Sequence, residues 1–133
     1  WHSLGPLIAH DRLHAAYGYL VQGLFAYNRR WRPWRSREMD ALLALPWLPE
    51  GFADRVWDAS CAHTPQHADY VRRVDSLQGL FHDLAVRLVA DGDYGQDYVS
   101  EAFIRSHEEP GRAWNMEEWN RRHAERTSGS EAR

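Results

Sequence analysis

The segment from Tyr27 to Arg37 concentrates the side chains that are best suited to binding chemistry. It holds five arginines and two tryptophans among eleven residues. A guanidinium group forms paired hydrogen bonds with phosphate or carboxylate, and an indole stacks on a base or another ring. We call residues 27–37 the Arg–Trp segment, and we predict that it contacts an anionic, ring-bearing ligand. Its candidate substrate or nucleotide contacts are Tyr27, Asn28, Arg29, Trp31, Arg32, Trp34, Arg35 and Arg37.

The same residues also allow a purely structural interpretation. Large aromatic side chains dominate hydrophobic cores, so Trp31, Trp34 and Trp47 would be buried. The arginines would then form a solvated face, and two of them would cap the preceding helix, because its C-terminal dipole favours cations. The sequence leaves both interpretations open.

Two histidine pairs have a spacing that suits metal binding on a helix, His10 with His14 and His63 with His67. The first pair lacks the glutamate that follows the first histidine in zinc proteases. Pro65 lies inside the second pair and disfavours a helix there. We therefore expect surface histidines and no metal site.

No complete catalytic motif is present in the sequence. All 16 basic residues are arginine, which excludes a lysine nucleophile and a Walker-type phosphate loop. Asp91, Asp93 and Asp97 resemble a calcium loop, but the glycine and glutamate of an EF-hand are missing. Cys61 is the one cysteine, so no intrachain disulfide can form. We predict no catalytic residue, metal or cofactor in this chain, and its status as an enzyme stays open.

Composition and charge narrow the class of protein further. A length of 133 residues suits one domain, and the net charge of −3 argues against nucleic-acid binding. No apolar run reaches the length of a membrane span, and no signal peptide is visible. We predict a cytoplasmic protein without a membrane partner, and its oligomeric state stays open. The sequence begins at Trp1, which favours a piece of a longer protein.

Hydrophobic periodicity predicts an all-α, single-domain, irregular antiparallel bundle over residues 1–126, followed by a disordered tail, 127–133. Two long helices, over about 11–31 and 66–90, would pack antiparallel, and Pro33 would end the first. The shorter helices would span about 36–43, with Ser36 as N-cap, and about 50–62, 98–106 and 116–126. In the second long helix, Phe81 belongs to the apolar stripe and Arg73 falls outside it.

A family resemblance rests on the Arg–Trp segment and the residues after it. A helix ending in Tyr27 and Asn28-Arg-Arg-Trp31, then Pro33, then a short helix leading to Leu45-Pro-Trp-Leu-Pro49, carries it. This pattern resembles the helical C-terminal domain that follows nucleotidyltransferase domains of the minimal and aminoglycoside-adenylyltransferase type, a domain of largely unknown function. The resemblance covers about the first half of the chain.

The resemblance implies an accessory substrate-binding or lid domain that is not catalytic alone. Catalysis, Mg²⁺ and the nucleotide would belong to an upstream α/β domain with a Gly-Ser motif and paired aspartates, which this chain lacks. Family members often have lysine after the proline, so a phosphate role would fall on Arg35 or Arg37. The alternative is a non-enzymatic helical module that binds a protein partner through exposed tryptophans.

Overall fold

The computed structural model describes residues 1–3 and 5–108, and the side chains of residues 1–3 and 5–106. This part of the chain contains five helices and no strand, which confirms the predicted all-α bundle. The helices are α1 (Gly5–Tyr27), α2 (Arg35–Leu43), α3 (Phe52–Ser60), α4 (His67–Ala90) and α5 (Tyr98–Glu108). The helix predicted over about 116–126 and the tail 127–133 lie outside the described residues, so the boundaries of the predicted domain stay a prediction.

Helix α1 ends several residues before Pro33, so the prediction that the proline ends it is wrong. The amide of Arg30 donates to the carbonyl of Phe25, and the amide of Arg29 donates to that of Ala26, each at 2.9 Å. Arg29 has a positive φ of 53°. These bonds and this conformation form a Schellman motif, in which a left-handed residue turns the chain away from the helix axis.

Helix α2 begins at Arg35, one residue before the predicted start at about Ser36. Trp34, with φ −59° and ψ 149°, occupies the N-cap position and makes no side-chain capping bond. The prediction of Ser36 as N-cap is therefore wrong. Pro33 favours an extended conformation in the residue before it, and the helix starts once this restriction has passed.

The core of the first 88 residues is built from all four helices that lie there. Leu20, Leu24, Leu42 and Leu80 are fully buried, and Phe25 is 2% exposed. The full buried cluster comprises Leu13, Leu20, Val21, Leu24, Phe25, Leu42, Phe52, Val56, Ala59, Leu77, Leu80 and Leu84. This apolar cluster is the main stabilising element of these helices, because removing apolar surface from water drives their packing.

Most of the apolar stripe predicted for α4 lies in the core or packs against it, but the prediction is wrong at two positions. Arg73, predicted at the surface, is only 9% exposed, and Phe81, predicted in the core, is 36% exposed. Leu80, next to Phe81, is fully buried instead. The long Arg73 side chain reaches backbone carbonyls at the end of α3. Because these carbonyls accept its hydrogen bonds, a charged residue can occupy an inward position on α4.

The two long helices run parallel, and the predicted antiparallel arrangement of this pair is wrong. Near their first turns, Arg73 Nη1 lies 3.0 Å from His10 Nδ1. At their last turns, Arg87 Nε donates to the hydroxyl of Tyr27 over 2.7 Å. The physical reason is that the non-helical residues 28–34 return along α1, where Arg32 reaches the carbonyl of Gly18, so that α2 starts near the middle of α1.

Helix α3 packs antiparallel to α4 and is joined to it by polar contacts. Arg55 at the start of α3 pairs with Asp83 at 2.5 Å. Arg72 pairs with Asp58 near the end of α3, and it also pairs with Asp69 at 2.9 Å. Burial alone would raise the pKa of Asp69, but hydrogen bonds from Arg72 and from backbone amides lower the pKa of this carboxyl below its usual range.

Close backbone packing between α1 and α4 is centred on Gly23. A Cβ at this position would lie 3.2 Å from Leu84 Cδ2, which is tighter than an ordinary contact. Gly18 has no neighbour within 4 Å of such a Cβ, and its carbonyl instead accepts a hydrogen bond from Arg32. Of Gly18 and Gly23, only Gly23 therefore serves close packing of α1 against α4.

The chain divides into two units, Trp1–Leu88 and Val89–Arg133. In the described part of the second unit, Glu101 accepts a hydrogen bond from the amide of Gly95 at 2.6 Å. Arg105 pairs with Glu101 and stacks over the ring of Tyr94, 4.5 Å from its centroid. In the described residues, no helix has the length and apolar character needed to cross a membrane.

Candidate functional site

Two residues of the Arg–Trp segment hold the fold together. Asn28 donates to the carbonyl of Trp47 at 3.0 Å and accepts from its amide at 2.9 Å. It also donates to the carbonyl of Leu24 at 2.8 Å, so it fixes both the end of α1 and the loop after α2. Tyr27 packs edge-on against the Trp47 ring, with 4.8 Å between centroids. Both side chains are half-buried and face the protein.

Arg32 is a third residue of the segment with structural contacts. Its Nε lies 2.5 Å from Glu38 Oε2 in α2, and its Nη1 donates to the carbonyl of Gly18 in α1 over 3.2 Å. The guanidinium thereby joins the returning chain to two helices. Because Glu38 balances its charge, Arg32 should attract an anionic ligand less strongly than an unpaired arginine does.

The remaining candidate residues are directed to solvent. Trp31 is 97% exposed and Trp34 is 88% exposed, which contradicts the structural interpretation that placed both in the core. Trp47, the third tryptophan of that interpretation, is half-buried. Within the described residues, Arg35 and Arg37 are exposed and make no ion pair. The segment therefore combines two solvated indoles with unpaired cations.

A cleft of about 340 Å³ lies beside these groups, between α1 and α2. We call it the α1–α2 cleft. It is lined by His14, Ala15, Tyr17, Gly18, Arg32, Arg35 and Glu38. Its volume falls at the lower end of small-molecule sites, which range over roughly 300–1,000 Å³. Arg35 contributes the uncompensated positive charge, and neither exposed tryptophan lines the cleft.

His14 and Tyr17 are wall residues of this cleft that were not predicted from the sequence. Their rings lie nearly parallel, 6.5 Å apart between centroids. Burial, together with the nearby Glu38 carboxylate, raises the pKa of Tyr17, and Arg32 opposes this effect. The Tyr17 hydroxyl therefore remains a protonated hydrogen-bond donor at neutral pH. The three-residue helical spacing of His14 and Tyr17 was the signal that they share a face.

The two histidine pairs do not converge on a common centre. His10 contacts Arg73, whereas His14 lies in the α1–α2 cleft. His67 packs against Trp1, with 5.3 Å between ring centroids. His63 is exposed in the connector before α4. In the described part of the chain, no three histidine, cysteine or acidic side chains are grouped so as to hold a metal ion.

Comparisons with protein-family models, with curated proteins and with solved structures found no match to this chain. The geometry of the Arg–Trp segment and of its neighbouring cleft is therefore the basis on which a function can be argued.

Proposed function

We propose that this chain is a non-catalytic helical accessory domain that binds or covers a nucleotide in a nucleotidyltransferase-like protein. The observation that carries the proposal is the exposure of Trp31 and Trp34, at 97% and 88%, on a segment rich in unpaired arginines. A fold gains stability by burying indoles, so leaving two of them in water on a fixed turn favours a binding role.

The electrostatics of the α1–α2 cleft favour an anionic group there. Arg32 and Glu38 neutralise each other at 2.5 Å, which leaves Arg35 as the unbalanced charge on the cleft wall. A guanidinium recognises phosphate oxygens through two parallel hydrogen bonds. Arg37 lies two residues further along α2 and adds positive charge outside the cleft. Phosphates would therefore be held at the start of α2.

The tryptophans would supply the second half of the recognition. Trp34 directly precedes Arg35 and forms the N-cap position of α2, so the indole and the guanidinium are held on adjacent residues. Base–aromatic stacking contributes about 1–3 kcal/mol per base. In this proposal the chemistry itself belongs to a separate domain that supplies carboxylates for the metal ions, because phosphoryl transfer needs a metal clamp.

The experiment titrates the purified chain with ATP and with tripolyphosphate at low and at physiological salt, followed by tryptophan fluorescence and calorimetry. We expect weak binding that falls as salt screens the exposed charges. Arg35→Glu should weaken binding of both ligands, and Trp34→Ala should weaken ATP more than tripolyphosphate. Arg12→Glu is the matched control, since Arg12 is exposed but lies outside the segment and the cleft. Equal effects of the two charge reversals, or no salt-dependent binding, would reject the nucleotide proposal.

A second candidate function is a protein-interaction module, and a different observation favours it. Neither Trp31 nor Trp34 lines the α1–α2 cleft, so both indoles are free to enter a pocket on another protein. Tryptophan and arginine are the residues most enriched at the energetic centres of interfaces. A protein that co-purifies with this chain should then be released by the double substitution Trp31→Ala and Trp34→Ala. Trp57→Ala, at a tryptophan 58% exposed on α3, should leave it bound.

A further inference from the structure

Arg73 on α4 is a buried cation without a carboxylate partner in the described part of the chain. Only 9% of the residue is exposed. Its Nε donates to the carbonyl of Ala59 at 2.9 Å, and its Nη2 donates to that of Ser60 at 3.3 Å. Its Nη1 lies 3.0 Å from His10 Nδ1. Each of these acceptors is formally neutral, because an arginine can only donate to an unprotonated ring nitrogen.

These acceptors leave the guanidinium only partly satisfied. Ala59 and Ser60 lie in the last turn of α3, whose dipole supplies roughly half a negative charge. Arginine keeps its proton in proteins, so it cannot relieve burial by becoming neutral. It also carries five N–H donors, and the three contacts leave one N–H on each terminal nitrogen unused. Two unused donors on one buried cation equal in number the two oxygens of a carboxylate.

Arg73 lines a cleft of about 300 Å³, together with Ala59 and Ser60, whose carbonyls accept its hydrogen bonds. We call it the Arg73 cleft. Its apolar wall includes Leu13 on α1, Met39 on α2 and Leu77 on α4. Polar groups are added by Ser60 and by His14 and Tyr17, which also line the α1–α2 cleft. A buried cation, a few other polar groups and an apolar wall are the features of a small-molecule site, in which a few polar groups orient a mostly apolar ligand.

We propose that the Arg73 cleft binds a small carboxylate that carries an apolar body, with the carboxylate on Arg73 and the body against Leu13, Met39 and Leu77. One negative charge balances the one uncompensated guanidinium, whereas a phosphate dianion would bring an excess negative charge against the apolar residues of the wall. The proposal goes beyond the nucleotide contact and does not depend on it. The carboxylates of Glu38 and Asp69 cannot take this place, since they are committed to Arg32 and Arg72.

The first test compares phenylacetate with phenylacetamide by isothermal titration calorimetry and by thermal unfolding of the whole chain. The two probes share an apolar ring and differ in charge. We expect phenylacetate to bind and to raise the unfolding temperature. The affinity of phenylacetamide should be lower by about tenfold or more. Equal binding of acid and amide, or binding of neither, would overturn the proposal.

Variants then locate the binding site. Arg73→Met should abolish phenylacetate binding, and Tyr17→Phe should weaken it by about threefold through loss of one hydrogen bond. Arg35→Glu should leave phenylacetate binding unchanged, so failure of the nucleotide proposal and failure of this one are distinguishable. If Arg73→Met does not fold, Tyr17→Phe and the amide comparison decide, and Arg35→Glu, at a residue that lines only the α1–α2 cleft, tells the two clefts apart. Unchanged phenylacetate binding by Tyr17→Phe, or by a folded Arg73→Met, would place the ligand elsewhere and refute the assignment.

Discussion

Replacing Arg29 by glycine should stabilise the protein, although the substitution removes a charged side chain. Arg29 has a φ of 53° and is the left-handed residue of the Schellman motif that ends α1. Its side chain is exposed and makes no hydrogen bond to any described residue, so the substitution removes no contact there. The effect therefore comes from the backbone alone.

The expected magnitude follows from two opposing backbone effects. The left-handed conformation costs a residue with a Cβ about 1–2 kcal/mol, and glycine avoids this cost. Glycine also makes the unfolded chain more flexible, which opposes folding by about 0.5–1 kcal/mol. The net stabilisation for Arg29→Gly is about 0.5–1 kcal/mol, which corresponds to a rise in unfolding temperature of roughly 2–4 °C for a chain of this length.

Arg30→Gly is the matched control, because it makes the same chemical change at the next residue. Arg30 is also exposed, and it is not among the residues with positive φ. Only the flexibility effect then applies, so this variant should be less stable than the wild type by about 0.5–1 kcal/mol. Urea unfolding followed by far-UV circular dichroism, at one pH and one salt concentration, measures both variants. If the two substitutions destabilise equally, the helix does not end at Arg29 in the left-handed conformation, and the reasoning is refuted.

Two further predictions concern α4. Leu80→Ala should cost about 2–5 kcal/mol of unfolding free energy as a fully buried leucine, and Phe81→Ala should cost less because its ring is 36% exposed; the opposite order of urea midpoints would show that the helix is rotated. Because the pKa of Asp69 is lowered in the folded protein, its carboxylate stabilises the fold above the ordinary value of about 3.9, and this contribution is lost as the pH falls through the lowered value. Asp69→Asn should therefore reduce stability at neutral pH and weaken its further loss in acid, and an unchanged acid profile would contradict this.

The positions of the helices were accessible from sequence because they depend on local patterns. The connector around Pro65 and the apolar periodicity after it predicted a helix over about 66–90. The observed α4 begins at His67, one residue later, and ends at Ala90, as predicted. The end of α1 was missed because Arg29 occupies a conformation that glycine or asparagine usually marks. Pro33 was the visible breaker, and the true turn had no such sign.

The rotation of α4 depends on long-range contacts that local periodicity does not record. The carbonyls of Ala59 and Ser60 make an inward position suitable for Arg73, and no pattern within α4 contains that information. The same limit applies to the direction of the long helices. The parallel direction of α1 and α4 depends on the chain after α1 returning along that helix. Arg32 holds this part of the chain in place by binding the carbonyl of Gly18 and the carboxylate of Glu38.

The sequence predicted which residue types the candidate site contains, but it did not predict which of their side chains face the protein and which face solvent. The density of arginine and tryptophan identified the segment, but residue types alone did not separate the structural Asn28 from the solvated Trp31. That separation depends on which side chains meet the loop at Trp47. The Arg73 cleft had no sequence signal, since its walls come from four different helices.

The parallel pairing of α1 with α4 has a consequence for the order in which the chain folds. Arg73 is 14 residues from Ala59 in the chain but 63 residues from His10. Closing the longer loop costs about 1.3 kcal/mol more in chain entropy, since the cost grows with the logarithm of loop length. The contact between α3 and α4 therefore costs less chain entropy than the contact between α1 and α4, and we predict that it forms first. The guanidinium of Arg73 takes part in both contacts, because it binds the carbonyl of Ala59 in α3 and the ring of His10 in α1.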